Sequence, residues 1–256
     1  MLTEISLPLS GEYRTGTDWE PVVFHMDALM ESKQLDLLLG YFSSTAINVL
    51  ACGFAKFISN GGMVRMVVNH ILSEKDKEAI LRGQSTSETV YNFTSDDVKR
   101  LKASLNEYGR HFFECLAWLV STQKIKIKAI KPKSDKGISH YKSGIFSDGT
   151  NQIRFKSSCN FTASGLLENL EELGIRCSWK SDAEKQAIAE YQEYFEGIFD
   201  ERADFVEYVS IYDVEEAIWD EFGSKDLNEL LIQEKQLFQK KHTLADKYVV
   251  RRAFER

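Results

Sequence analysis

At 256 residues, 43% hydrophobic and 28% charged, the chain is long enough to bury one substantial core with a helical appendage. Its longest mainly apolar stretch, Ile47 to Ile58, is twelve residues and contains Lys56, short of the roughly 20 residues a membrane span requires. Met1 to Ser10 holds Glu4 and lacks the basic start of a secretory leader, so a cytoplasmic location is expected, and a net charge of −7 argues against general adhesion to nucleic acid.

In chain order, Leu35 to Phe42 is apolar enough for a buried strand, Thr45 to Ser59 reads as a helix, and Gly61-Gly62 leads into a strand from Met63 to Asn69, a βαβ beginning. Gly83 to Thr94 is polar and is expected as a surface loop. From Ser95 a long helix is expected, because Val98, Leu101, Leu105, Tyr108, Phe112, Cys115 and Leu119 recur every three or four positions. Lys124, Lys126 and Lys128 alternate with Ile125 and Ile127, the pattern of a half-buried strand. Two extended runs follow, residues 138–147 and Gln152 to Ser157, joined by an Asp148-Gly149 turn. Thr162 or Ser164 could cap a short helix, Leu173 to Trp179 returns as a strand, and Ser181 to Asp200 forms a helix burying Ala187, Ile188, Tyr191, Phe195 and Ile198. Residues 205–256 are expected as a helical extension, leaving residues 1–204 as the main domain. Leu227, Leu230, Leu231 and Leu237 give that extension a face to pack on the chain's own core, the favoured expectation, or on a second subunit or another domain.

Charge is uneven along this order. Lys124 to Lys156 carries nine Lys or Arg against two acids, whereas Asp182 to the C-terminus carries nineteen acids against ten bases. A phosphate backbone could be drawn to the first segment despite the acidic whole, though a solvated basic strand would read the same way. Cys52, Cys115, Cys159 and Cys177 are widely spaced and lack metal-ligand spacing, so four reduced, mostly buried thiols are expected, with neither metal nor cofactor.

The residues best suited to chemistry lie inside the basic segment. In a strand, His140 and Lys142 project from the same face, so an imidazole and an ammonium can address one phosphate. Asn160 follows eighteen residues after Lys142, within Ser157-Ser158-Cys159-Asn160-Phe161-Thr162. This constellation resembles the phospholipase D superfamily, whose signature is His-x-Lys with a downstream Gly-Ser-x-Asn-like segment and then an acidic residue. The likeness spans roughly residues 138–175 and continues through Thr162, Ser164-Gly165-Leu166 and Asn169-Leu170-Glu171, similar to the superfamily's nuclease branch. Two departures stand out: Ser147 occupies the place of the usual aspartate, with Asp148 one residue late, and Ser157 replaces the usual glycine. Members of the branch similar to metal-independent restriction enzymes tolerate loss of the aspartate.

The resemblance implies a phospholipase D-like α/β/α sandwich with a mixed central sheet, extended at its C-terminus by helices. It implies a phosphodiesterase that uses two histidines and no metal. The other histidines, His25, His70, His111 and His242, are not followed by lysine two places on, so one motif per chain implies a homodimer with a shared site. In that scheme His140 forms a phosphohistidine, Lys142 and Asn160 hold phosphate oxygens, Ser158 adds a donor, and Glu171, with Glu172 as the fallback, orients the imidazole. Nucleic acid, more readily DNA, is the implied substrate. A setting in anti-phage defence or restriction, with a helicase or another defence subunit as partner, is implied with it. A lipid phosphodiesterase or phosphatidyltransferase and a non-catalytic dimeric DNA-binding module are the alternatives; no basic amphipathic helix of a membrane-surface kind favours the lipid enzyme.

Overall fold

The computed structural model describes residues 1–39, 53–69, 71–73, 90–92, 107–133, 141–157, 172–210 and 212–245, with single positions 99, 102 and 105. An eight-stranded mixed sheet forms its centre, in the order β1-β9-β8-β7-β2-β3-β6-β10. The strands are β1 (Glu12–Arg14), β2 (Gln34–Leu39), β3 (Met63–Asn69), β6 (Ile125–Pro132), β7 (Lys142–Ser147), β8 (Gln152–Ser157), β9 (Glu172–Cys177) and β10 (Val206–Val209). Two short strands, β4 (Ile71–Ser73) and β5 (Val90–Asn92), pair separately with each other. β5 lies inside the stretch expected as a loop, so that stretch is not wholly irregular.

β2, β3 and β6 are mutually parallel, whereas β7 joins β2 antiparallel and β8, β9 and β1 continue antiparallel from it. Helices α1 (Pro21–Glu31), α2 (residues 53–59), α3 (Glu107–Ser121), α5 (Tyr212–Phe222) and α6 (Leu227–Ala245) supply one side, and α4 (Asp182–Phe199) the other. The larger core joins Leu35, Leu37 and Leu39 of β2 to Val64, Met66, Phe146, Phe155 and Leu173, under Phe24, Phe54, Phe112 and Phe113. The smaller core sets Leu38, Val67 and Ile130 against Phe195, Ile198 and Phe199 of α4. β2 is therefore buried on both faces, which is why it reads as an unbroken apolar run.

Asp36 interrupts that run on the α4 face and is 1% exposed. Arg65 of β3, its register partner, meets it with two hydrogen bonds, Nε to Oδ1 at 2.8 Å and Nη2 to Oδ2 at 2.6 Å. The guanidinium also lies over the rings of Phe195 and Phe199, and Gln192 donates to Oδ2 at 3.0 Å. α4 is thus tied to the sheet by one satisfied polar cluster within an apolar layer. Its start is capped by Ser181, whose Oγ accepts from the Glu184 N–H at 3.2 Å.

Residues 205–256 open with a strand rather than a helix: β10 is an edge of the main sheet, paired with β6 from Val206↔Pro132 to Val209↔Ala129. The helices beyond it share the larger core through Ala217, Ile218, Phe222 and Leu230, with Leu227 and Leu231 packed on its rim. α6 also projects Glu234 into the fold, where its carboxylate accepts from the N–H groups of Ala55 at 2.6 Å and Lys56 at 3.0 Å and lies 3.6 Å from His111 Nε2. These N–H groups lie early in the described part of α2. At Gly53, just ahead of them, φ is +98° and a Cβ would stand 3.1 Å from the Met26 carbonyl oxygen, so the chain turns here in a way a side chain would obstruct. Of the expected helix from Thr45 to Ser59, residues 45–52 lie outside the described residues.

Cys115 and Cys177 are free and buried, and burial pushes both thiols up, that of Cys177 to about 11; Cys52 and Cys159 lie outside the described residues.

Candidate active site

β7 and β8 form the hairpin expected around the motif, with Ser143↔Lys156 and Ser147↔Gln152 at the two ends of their register. At its tip Asp148 Oδ1 accepts from the N–H groups of Thr150 at 2.9 Å and Asn151 at 2.7 Å, while Gly149 takes φ +97°. Asp148 Oδ2 also accepts from the Leu2 N–H at 2.9 Å. Burial opposes ionisation of this carboxyl, but the bonds from Asn151, Thr150 and Leu2 outweigh it and hold Asp148 below the usual carboxylate range. Asp148 is a turn residue, a whole strand away from Lys142. At about 3.3 Å per residue that is roughly 20 Å.

Lys142 opens β7 beside Leu39, the last residue of β2, to which it is register-paired. Leu37 and Leu39, and Phe146 four residues after Lys142, all belong to the larger core, so strand alternation sets Lys142 on the side of α1, α2 and α3. Ser157 closes β8, and its Oγ donates to the Glu172 carbonyl at 3.3 Å across the β8–β9 ladder, where Ser157 pairs with Leu173. Glu172 opens β9. The start of β7, the end of β8 and the start of β9 therefore lie side by side at one end of the sheet. That end also carries the C-termini of the parallel strands β2, β3 and β6.

Of the expected site residues, Lys142 stands in this row. His140, Ser158, Asn160 and Glu171 lie outside the described residues, each one to three residues along the chain from a strand end in it. Glu172, the alternative to Glu171, takes the opposite face of the sheet from Lys142, since its neighbour Leu173 belongs to the larger core. Its carboxylate is exposed and ion-paired with Arg14, Nε to Oε1 at 2.9 Å. Glu172 therefore faces away from Lys142 and serves Arg14.

Two lysines of the basic run meet acids from the C-terminal half. Lys131 pairs with Glu207 at 2.6 Å and Lys128 with Glu201. Lys128 and Lys131 are three residues apart on β6, so the two ion pairs flank opposite faces of the strand. On the α4 face, Ser143 Oγ and Tyr191 Oη are 2.7 Å apart, and the Arg154 guanidinium lies 4.5 Å over the Tyr191 ring. Burial pushes the Tyr191 phenol up to about 12.

Sequence reasoning passed over one feature of this end of the sheet. Tyr141, between His140 and Lys142, brings its hydroxyl within 2.5 Å of that of Tyr194 on α4, and Tyr194 in turn stacks on Phe205, centroids 6.0 Å apart and planes 8° from parallel. The available signal was Tyr191 and Tyr194, three apart on one helix flank.

Among the described residues no three His, Cys, Asp or Glu side chains stand together as a metal site, and no helix is long and apolar enough to cross a membrane. No protein-family model matches the chain, and no curated protein matches it. Among solved structures the chain is similar to NucT from Helicobacter pylori, at 14% identity and a TM-score of 0.42, over 71% of this chain and 92% of that one. It is also similar to Nuc from Salmonella typhimurium, a phospholipase D family member, at 14% identity and a TM-score of 0.38, over 77% and 95% of the two chains. Both likenesses are remote.

Proposed function

We propose that the chain is a metal-independent phosphodiesterase of the phospholipase D kind that cuts nucleic acid, more readily DNA, at a site shared by two copies. The observation that carries this reading is the convergence of three strand ends on one edge of the sheet. Each of them leads into a segment holding part of the linked motif: β7 into His140 and Lys142, β8 into Ser158 and Asn160, β9 into Glu171.

In the proposed reaction the Nε2 lone pair of His140 attacks phosphorus, and the bond from phosphorus to the leaving oxygen breaks. The partner's His140 gives its proton to that oxygen, releasing an alcohol. The same imidazole, now neutral, takes a proton from water, whose oxygen displaces His140 and leaves a phosphate monoester. Lys142, Asn160 and the Ser158 hydroxyl hold the non-bridging oxygens as charge builds on them. Glu171 accepts from Nδ1–H of His140 and presents Nε2 to phosphorus. The motif's likeness to restriction-type members supports a setting in defence against foreign DNA, with a helicase or another defence subunit restraining the activity.

The test is incubation of the chain with DNA, RNA and phospholipid vesicles in excess EDTA, beside His140→Ala. Cleavage of nucleic acid that resists EDTA and falls at least about 10³-fold in the variant is the expected result. A strict requirement for Mg²⁺, or cleavage that survives the substitution, would falsify the mechanism; turnover of the vesicles alone would transfer it to a lipid substrate.

A further inference from the structure

We propose that Tyr191 and Tyr194 of α4 are positioning residues for the candidate site: their hydroxyls hold Ser143 and Tyr141, the two residues flanking Lys142, and so fix the His140–Lys142 stretch from the far side of the sheet. This rests on the reading of that stretch as the phosphodiesterase motif and names what sets its geometry.

Three observations carry it. The first is where the sheet stops. Lys142 is register-paired with Leu39 at the end of β2, Ser143 with Lys156 on β8, and the pairing of β7 goes no further toward its start. Among the described residues no strand pairing reaches Tyr141, so its side chain is what anchors the chain next to His140. That side chain packs against the smaller core, and its Oη stands 2.5 Å from Tyr194 Oη. The second observation is the repeat of this contact two residues on, where Ser143 Oγ and Tyr191 Oη are 2.7 Å apart. Strand alternation turns Tyr141 and Ser143 toward α4 and Lys142 to the other side, so both contacts grip the backbone around Lys142 without entering the site.

The third observation is that the two tyrosines are themselves held. The Arg154 guanidinium lies 4.5 Å over the Tyr191 ring, and the Tyr194 ring stacks on Phe205 with centroids 6.0 Å apart. Between them in the chain, Gln192 donates to Asp36 Oδ2 at 3.0 Å, which ties this turn of α4 to the Asp36–Arg65 pair inside the sheet. Burial raises both phenols, that of Tyr191 to about 12, so neither ionises over the range in which an imidazole titrates. A mount fixed from several sides suits groups whose displacement by about 1 Å costs roughly 100-fold in rate.

The experiment compares EDTA-resistant cleavage of DNA by the unsubstituted chain with that by Tyr141→Phe, Tyr191→Phe, Tyr194→Phe and the double variant Tyr141→Phe/Tyr194→Phe. Each change keeps the ring and removes a hydroxyl. In Tyr194→Phe, kcat is expected to fall about tenfold with KM unchanged, because the hydroxyl touches no substrate. Tyr191→Phe falls in the same way. Tyr141→Phe falls as far as Tyr194→Phe, and the double variant no further than either, since all three remove one and the same contact. The histidine ring resonance of position 140, identified by its loss in His140→Ala, should shift in Tyr141→Phe and Tyr194→Phe without substrate, while those of His25 and His111 stay in place. An unchanged kcat overturns the proposal, as do losses that add in the double variant, or a fall in kcat matched by a fall in the folded fraction. Failure of the nuclease reading looks different: the unsubstituted chain shows no EDTA-resistant cleavage, yet the position-140 resonance still shifts in the variants. A resonance that does not move overturns the positioning role whether or not the chain cuts.

Discussion

His25 illustrates at residue scale how an ionisable side chain can serve a purely structural end. It sits in the larger aromatic layer with ring centroids 4.9 Å from Phe155 and 5.3 Å from Phe24, fully enclosed, and burial lowers its pKa to about 3. In the unfolded chain the same imidazole titrates near 6.5. The unfolded state therefore takes up a proton that the native state refuses once the pH falls below about 6.5, so this contribution to stability is complete above that value and is lost progressively toward pH 3. Urea unfolding should show about 2 kcal/mol less stability at pH 5 than at pH 7 from this residue alone. In His25→Leu that part of the slope should vanish, and an unaltered slope would mean that other groups set it. In the proposed reaction the imidazole at position 140 has the opposite requirement, since it must exchange protons to work.

At the scale of elements, legibility followed how many neighbours a segment has. β3 and β8 occupy the stretches their sequences predict, because each lies between two strands and buries apolar residues along its length. β10 and β5 were not legible: four and three residues long, they pair with partners distant in the chain, and Val206-Glu207-Tyr208-Val209 offers too short an alternation to stand out from its charged surroundings. The Tyr194–Phe205 stack was hidden for a related reason, since it joins a helix flank to the residue before an edge strand. The motif was legible because its spacing is local to one hairpin, whereas the side of the sheet that Glu172 takes needed strand register, which sets it opposite Lys142. α6 gives the prediction proper to this scale. Its Glu234 is 7% exposed and serves both the start of α2 and His111, so Glu234→Ala leaves two N–H groups without their acceptor. A loss of about 2 kcal/mol in urea unfolding is expected, and a loss below about 0.5 kcal/mol would mean that water replaces the carboxylate fully.

At the scale of the whole molecule, a single motif per chain makes assembly part of the proposed reaction. Unsubstituted and His140→Ala chains, unfolded together and refolded in varying proportions, should lose activity as the square of the unsubstituted fraction, because a mixed pair holds one imidazole where two are required. A linear decline would indicate that each copy works alone. The Asp148–Asn151 turn has a bearing on the same question. It closes the β7–β8 hairpin at the end of the sheet away from Lys142, with Gly149 and Thr150 exposed. Two copies meeting at their strand-end edges would carry these turns at opposite poles, on the order of 40 Å apart from the β7 length alone. The hairpin tip is thus a natural anchorage for a dye or spin label, a ruler built into the scaffold that reads the pairing of subunits without touching the groups that cut.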